Sequence, residues 1–279
     1  MDELERGIIP LFIGGLGNQM FIVSAAFTVQ QTIQCPLYLL QSIPSKNPHN
    51  KSKYNNNFNK TIFKHFGQHL PFTNNSMHNL RSLNYKGTHT DATLDIACFE
   101  RWSPELIEPG TILNSFFQYY PPLKPFENEL RNLYLKGLEG YRSKLGDYSG
   151  YAFLHIRRGD YLILAIHNLS IDYYRDAVSN LQEKGISKYI VLSDDTPWVK
   201  EQEYFKDPKF EIFESDDELL AMALMSKCTA GAICANSTFS WWGAFLGAHG
   251  VRAPVIVPKT WIGGGKDLPD LCPEEWIHI

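Results

Sequence analysis

No stretch of about 18 consecutive apolar residues occurs in this 279-residue chain, so the sequence offers no transmembrane helix. Its five cysteines, Cys35, Cys98, Cys228, Cys234 and Cys272, are odd in number, scattered, and never paired as Cys-x-x-Cys. That excludes a regular disulfide framework and a zinc finger, and leaves reduced thiols, several of them in the core. A basic excess is missing too: the net charge is −4, which gives no field for a nucleic-acid backbone. The N-terminal MDELERG is acidic, a poor start for a signal peptide, and the apolar run after it is broken by GGLGNQ. The expected location is therefore the cytoplasm, where sequons such as those at Asn59 and Asn236 need not be used.

What is present suits a folded protein: 44% hydrophobic and 20% charged residues, enough for a sizeable core in one or two domains. GIIPLFI (7–13) reads as a strand, GGLGNQ as a turn, MFIVSAAFTVQQTI as a helix and PLYLL (36–40) as a strand. The Asn-, Lys- and Ser-rich 45–60 segment reads as a surface insertion. Over 61–125 a few short helices are expected, then TILNSFFQYY as a strand stopped by Pro121-Pro122. ENELRNLYLKGLEGYRSKL is helical and leads to a domain boundary placed near residue 148, giving domains 1–148 and 149–279.

The second half alternates cleanly. YAFLHIRR, KYIVLSDD, FEIFES, GAICANS and APVIVP read as strands, separated by helices over SIDYYRDAVSNLQEKG, DDELLAMALMSKC and TFSWWGAFLGAHG. Such alternation predicts an α/β fold with a parallel sheet covered on both faces, whose ligands bind at the carboxyl ends of the strands. Three polar clusters fall at such ends: His155–Asp160, Ser193–Asp195 and Asn236–Ser240. Each alone is also explained by strand termination and helix capping.

Adjacent cations at a strand end need an anion. For Arg157 and Arg158 the plain explanation is a salt-bridge network with Asp160 and its neighbours. The functional one is a diphosphate clamp, since guanidinium is always charged and offers bidentate donors to phosphate. The helix opening at Asn236–Ser240 provides hydroxyls and free amides for the same anion. GGLGNQM fails the dinucleotide fingerprint, because Met20 stands where a third glycine is needed, and it is no Walker loop. GGGK at 263–266 fails as well, with Asp267 at the hydroxyl position. Arg158-Gly159-Asp160 spells an adhesion tripeptide, but it abuts an apolar strand rather than a flexible exposed loop. No Asp-x-Asp occurs, only the adjacent pairs Asp194-Asp195 and Asp216-Asp217. Arginine and helix amides, rather than a metal, are thus the expected counter-charge.

Taken in order, GGLGNQMF, LNSFFQYY, HIRRGDYL, and VLSDD with ANSTFSWWGAFL resemble the α-1,2-fucosyltransferases of glycosyltransferase family 11, over nearly the whole chain. The resemblance implies a GT-B-like fold of two Rossmann-like domains facing across a cleft, 1–148 on the acceptor side and 149–279 holding the GDP-sugar. It implies inverting, metal-independent transfer of L-fucose from GDP-fucose to a glycan hydroxyl, often the 2-OH of galactose, with no cofactor. By matching positions, Arg157 binds the β-phosphate with Arg158 in support, and His155 seats the guanine. Asp194 and Asp195 lie near the nucleotide; Asn236, Ser237, Thr238, Phe239 and Ser240 run along the diphosphate. Gly15, Gly17, Asn18 and Gln19 form the first-domain loop that closes over the donor. One departure is plain: the family continues GNQMFQYA, whereas Ile22-Val23 replaces the Gln-Tyr pair here.

For the acceptor's proton the sequence leaves Asp160, His167 in the loop AIHNLS, or a donor phosphate oxygen. The alternatives to fucosyl transfer are a GT-B transferase using another nucleotide sugar, or a non-catalytic glycan-binding protein on the same scaffold. The sequence gives no oligomeric state.

Overall fold

The computed structural model describes residues 3–40, 58–70, 81–83, 101–162, 168–261 and 268–279. The Asn-rich stretch over 45–57, Cys98, His167 and the GGGK run lie outside the described residues. By backbone proximity the chain forms two compact units, Met1–Gly137 with Asp270–Cys272, and Leu138–Pro269 with Pro273–Ile279. Among the described residues no helix is long and apolar enough to cross a membrane.

The first unit carries strands β1 (Ile8–Pro10), β2 (Tyr38–Leu40), β3 (Gln68–Leu70), β4 (Arg81–Leu83) and β5 (Thr111–Leu113). All pair in parallel, as β1-β5-β4 and β2-β3, and an Ile8–Leu37 bridge links the two sets. Helix α1 (Leu16–Ile33) follows β1 after a turn at Gly14, whose φ of +74° is a conformation that suits glycine. From Leu16 to Val29 almost every α1 residue is buried, so this helix is apolar on all sides rather than striped. Helix α2 (Glu127–Arg142) locks onto it through Tyr134, whose hydroxyl donates to the Met20 carbonyl and contacts Ser24 Oγ, both at 2.8 Å. Burial pushes the Tyr134 pKa far up, so it is a neutral donor.

One expectation is corrected here. TILNSFFQYY is a strand only over Thr111–Leu113; beyond it Phe117 takes φ +52° and the Tyr119 amide bonds back to the Phe117 carbonyl. The apolar run is real, but it packs as an irregular segment in which Phe117 and Tyr120 are buried.

The second unit holds β6 (Ala152–Ile156), α3 (Ile171–Glu183), β7 (Tyr189–Ser193), α4 (Thr196–Glu201), β8 (Phe210–Phe213), α5 (Glu218–Met225), β9 (Gly231–Ile233), α6 (Thr238–Leu246), β10 (Val255–Val257) and β11 (Ile277–His278). Its sheet is parallel throughout in the order β11-β10-β9-β6-β7-β8. The last strand is thus β11 at the edge, not APVIVP as the sequence suggests. This is the doubly wound order, with its switch point between β6 and β9, where successive connections leave to opposite sides. Every residue of β6 is buried, as expected of a central parallel strand. Ala152, Leu154 and Ile156 join the core with Tyr174, Ala177, Val178 and Leu181 of α3. By alternation, Phe153 and His155 face the other layer, where the His155 ring lies 5.6 Å from Phe239 of α6.

Candidate functional site

The switch point gathers the three polar clusters. Ile156 pairs with Ser193 and Leu154 with Ile233, so the chain leaves β6, β7 and β9 side by side. Arg157 and Asp194 are the first residues past the paired ends of β6 and β7. Arg157 Nη1 contacts Asp194 Oδ2 at 2.9 Å, and Nη2 donates to Asp160 Oδ1 at 2.7 Å. Burial works against its charge, but Asp194 and Asp160 outweigh it and the Arg157 pKa is raised. The side chain stays about one-third exposed, held by two carboxylates with Cζ 5.5 Å from the centre of the Tyr161 ring.

Arg158 points elsewhere. Its guanidinium stacks 3.9 Å from the Trp198 ring, and Nε donates to Asp195 Oδ2 at 3.0 Å. Asp195 meanwhile caps α4 by accepting from the Trp198 amide. The Arg158 backbone N–H donates to Asp194 Oδ1 at 2.8 Å, which closes the web. Asp194 and Asp195 therefore orient arginines, and Trp198 is a member of the cluster that pattern reading missed. Only its place in a short helix after VLSDD could have hinted at it.

On the β9 side, Asn236 is buried and its Nδ2 donates to the Trp261 carbonyl at 3.1 Å. Its own carbonyl accepts from the Tyr161 hydroxyl at 3.0 Å, and the Cys234 carbonyl accepts from Tyr173 at 2.6 Å. Burial pushes the Tyr161 pKa up to about 12, so this strap between β6 and β9 is a neutral donor across the working range. Ser237 is the N-cap of α6 without a side-chain cap bond, and its own amide donates to the Ala235 carbonyl at 2.8 Å. Thr238 and Phe239 are half-buried at that turn. Ser240 differs: it is fully buried and its hydroxyl reaches the Ala235 and Ser237 carbonyls, at 3.1 and 3.0 Å. It stiffens the turn from within.

His155 is 5% exposed, and its Nδ1 has no hydrogen-bond partner among the described residues. Burial, with the Arg157 charge adding, lowers its pKa to about 3, so the imidazole is neutral at every working pH. Glu218 is the first residue of α5. Here burial, then the Asp217 charge, pushes its pKa up to about 7, with Arg157 partly offsetting the rise. A second position that pattern reading passed over is Gly159: a Cβ there would lie 2.5 Å from Asp194 Oδ2, the oxygen that holds Arg157.

The remaining candidates belong to the first unit. Gly15 and Gly17 open α1, Asn18 Oδ1 accepts from Gln118 Nε2 at 3.1 Å, and buried Gln19 donates to the Gly14 carbonyl at 3.0 Å. They make a turn of carboxamides past β1 and β5, with no charged group among them. Among the described residues no three or more His, Cys, Asp or Glu side chains converge as metal ligands, and Cys35, Cys228, Cys234 and Cys272 are buried thiols outside any disulfide.

Comparison with known proteins bears on this arrangement. The family model described as "Glycosyl transferase family 11" matches residues 123–277, more than half of the chain. The O-antigen biosynthesis glycosyltransferase WbnK of Escherichia coli is 31% identical over 181 residues, which are 62% of this chain and 58% of that protein. An Escherichia coli alpha-1,2-colitosyltransferase is 35% identical over 136 residues, covering 45% and 46% of the two chains. The chain thus spans about half the length of the curated relatives it matches. Among solved structures, the fucosyltransferase NodZ from Bradyrhizobium superposes with a TM-score of 0.52 at 15% identity, covering 93% of this chain and 97% of that one. A second crystal structure of the same enzyme gives 0.50, at 87% and 93% coverage. At such identity the likeness shows the fold, which is GT-B-like with two Rossmann-like α/β units.

Proposed function

The chain belongs to glycosyl transferase family 11, and on that footing we propose that it moves L-fucose from GDP-fucose to a glycan hydroxyl, with inversion and without a metal. The linkage proposed is α-1,2, to galactose or a related sugar. The observation that carries this reading is Arg157: a charged, partly exposed guanidinium fixed by Asp160 and Asp194 at the switch point of a doubly wound sheet. An anion placed there meets a donor that needs no reorganisation as charge develops on a departing diphosphate. The N-terminal turn of α6 at Thr238–Phe239, with the Ser237 side chain, would take the remaining phosphate oxygens, and neutral His155 would lie against the guanine. Arg158, committed to Trp198 and Asp195, supports the wall of the site.

In this mechanism Asp160 orients Arg157. Taking the acceptor's proton would cost it the 2.7 Å pair, so the base is assigned to His167 or to a donor phosphate oxygen. Gly159→Ala tests the orienting web. The added methyl displaces Asp194, and kcat/KM is expected to fall about tenfold, as misplacement of a charged group commonly causes, with little change in melting temperature. Unchanged kinetics would show that Arg157 does not depend on Asp194.

A second donor is favoured by one finding. The similarity to a colitosyltransferase makes a colitosyl nucleotide the alternative to GDP-fucose on the same site. Isothermal titration of the wild-type chain with GDP-fucose, a colitosyl nucleotide, UDP-sugars and CMP-sugars separates them. Tight binding confined to GDP-fucose supports the proposal; preference for any other sugar nucleotide reassigns the donor.

A further inference from the structure

Resting on the diphosphate reading above, we infer that Tyr161 is a positioning residue for the donor. Its ring flanks Arg157 and its hydroxyl tethers the turn into α6, so one side chain holds both halves of the diphosphate site in register. The local structure explains why it can. Past β6 the chain makes a 3-10 turn over Gly159–Leu162, closed by the Leu162 amide donating to the Arg158 carbonyl at 2.9 Å. That turn sets Gly159, which has no side chain to meet Asp194, against the carboxylate and folds Asp160 back onto Arg157. Tyr161 is carried the other way, towards β9, the strand beside β6 in which Ile233 pairs with Leu154.

Tyr161 therefore touches two walls of the site. Its ring centre lies 5.5 Å from the Arg157 Cζ, within the range at which an aromatic face attracts a cation. Its hydroxyl donates to the Asn236 carbonyl at 3.0 Å. The rest of that turn is held as firmly. The Cys234 carbonyl accepts from the Tyr173 hydroxyl at 2.6 Å, and the Ala235 carbonyl from the Ser237 amide at 2.8 Å and from Ser240 Oγ at 3.1 Å. The Ser237 carbonyl accepts from the Trp241 amide and from Ser240 Oγ, both at 3.0 Å. Each carbonyl from Cys234 to Ser237 thus has a donor. A trans peptide is planar, so fixing a carbonyl also fixes the N–H of the next residue, and the entry to α6 is held in one orientation. Among these donors Tyr173 comes from α3 and the others from the turn itself. Tyr161 alone among them comes from the loop that bears Arg157.

A bound diphosphate has to meet the guanidinium and the start of α6 together. When the two are joined before it arrives, ordering them adds no cost on binding. Packing beside Arg157 needs only the aromatic ring, whereas joining the two walls needs the hydroxyl, and that difference separates the readings.

The test is equilibrium binding of pyrophosphate, GDP and GMP to the full chain and to Tyr161→Phe, which keeps the ring and removes the tether. Pyrophosphate and GDP should bind the variant about fivefold more weakly, the scale of one neutral hydrogen bond. GMP, which lacks the β-phosphate, should lose less, so the preference for GDP over GMP narrows. In an Arg157→Lys background the same substitution should weaken pyrophosphate less than it does in the wild type, because the tether acts by holding the turn against that arginine. Equal affinities in wild type and Tyr161→Phe, an equal loss for all three ligands, or additive losses with Arg157→Lys would overturn the positioning role while leaving the diphosphate site intact. A wild type that binds neither GDP nor pyrophosphate would overturn the nucleotide reading, and this inference with it.

Discussion

Arg157→Ala is expected to lower turnover with GDP-fucose by about a thousandfold, within the range seen when an arginine that stabilises a transferring phosphoryl charge is removed. The expectation follows from geometry. Nη1 is engaged by Asp194 and Nη2 by Asp160, so the fork is held in one orientation and its remaining N–H groups are aimed. Arg157→Lys keeps the charge but cannot satisfy two carboxylates and still present a planar donor face. It should recover only a small part of the loss. The fold should tolerate both changes, because the three side chains are a quarter to a third exposed and surface-screened pairs contribute little to stability. Steady-state kinetics beside a thermal melt makes the check. Turnover within about threefold of the wild type in Arg157→Ala would remove this residue from the chemistry.

The second large effect is one of folding. Trp241 is fully buried, stacked on Phe245 at 5.1 Å and packed against Trp242 and Trp276 at 4.9 and 5.3 Å. Trp241→Ala should cost about 3–5 kcal/mol, the usual scale for truncating a buried aromatic. The unfolding midpoint should fall by roughly 10 °C. GDP affinity of the fraction still folded should change far less. A selective loss of nucleotide binding at unchanged melting temperature would instead place Trp241 in the site.

That contrast bears on what could be read from the chain. NSTFSWWGA looks from sequence like one functional segment, yet it divides within a turn of helix. Thr238 and Phe239 are half-buried at the start of α6, while Ser240, Trp241 and Trp242 are fully buried. Helix residues three or four apart share a face, and no motif states which face is wet. The parallel sheet of the second unit was legible because buried central strands such as AFLHI are continuous apolar runs set off by helices. The same rule misread TILNSFFQYY, since an apolar run also results from an irregular segment pinned by its aromatic side chains.

The arginine web was partly legible. Two adjacent cations at a strand end demanded an anion, and the acids at 194 and 195 were in view. What pattern could not supply was the division of labour, with Arg157 left open to a ligand and Arg158 folded onto Trp198. That division lies in the turn just past β6, where Arg157 meets Asp160 and Asp194 while Arg158 meets Asp195 and Trp198.

The central claim is that this arginine-centred site transfers fucose from GDP-fucose without a metal. The most direct measurement incubates the full chain with GDP-fucose and a galactose-terminated oligosaccharide in excess EDTA and analyses the product by mass spectrometry and NMR. The account predicts one added deoxyhexose, α-linked to the galactose 2-OH, at the rate seen without chelator. No transfer from GDP-fucose, or transfer that stops in EDTA and returns with Mn²⁺, would contradict it.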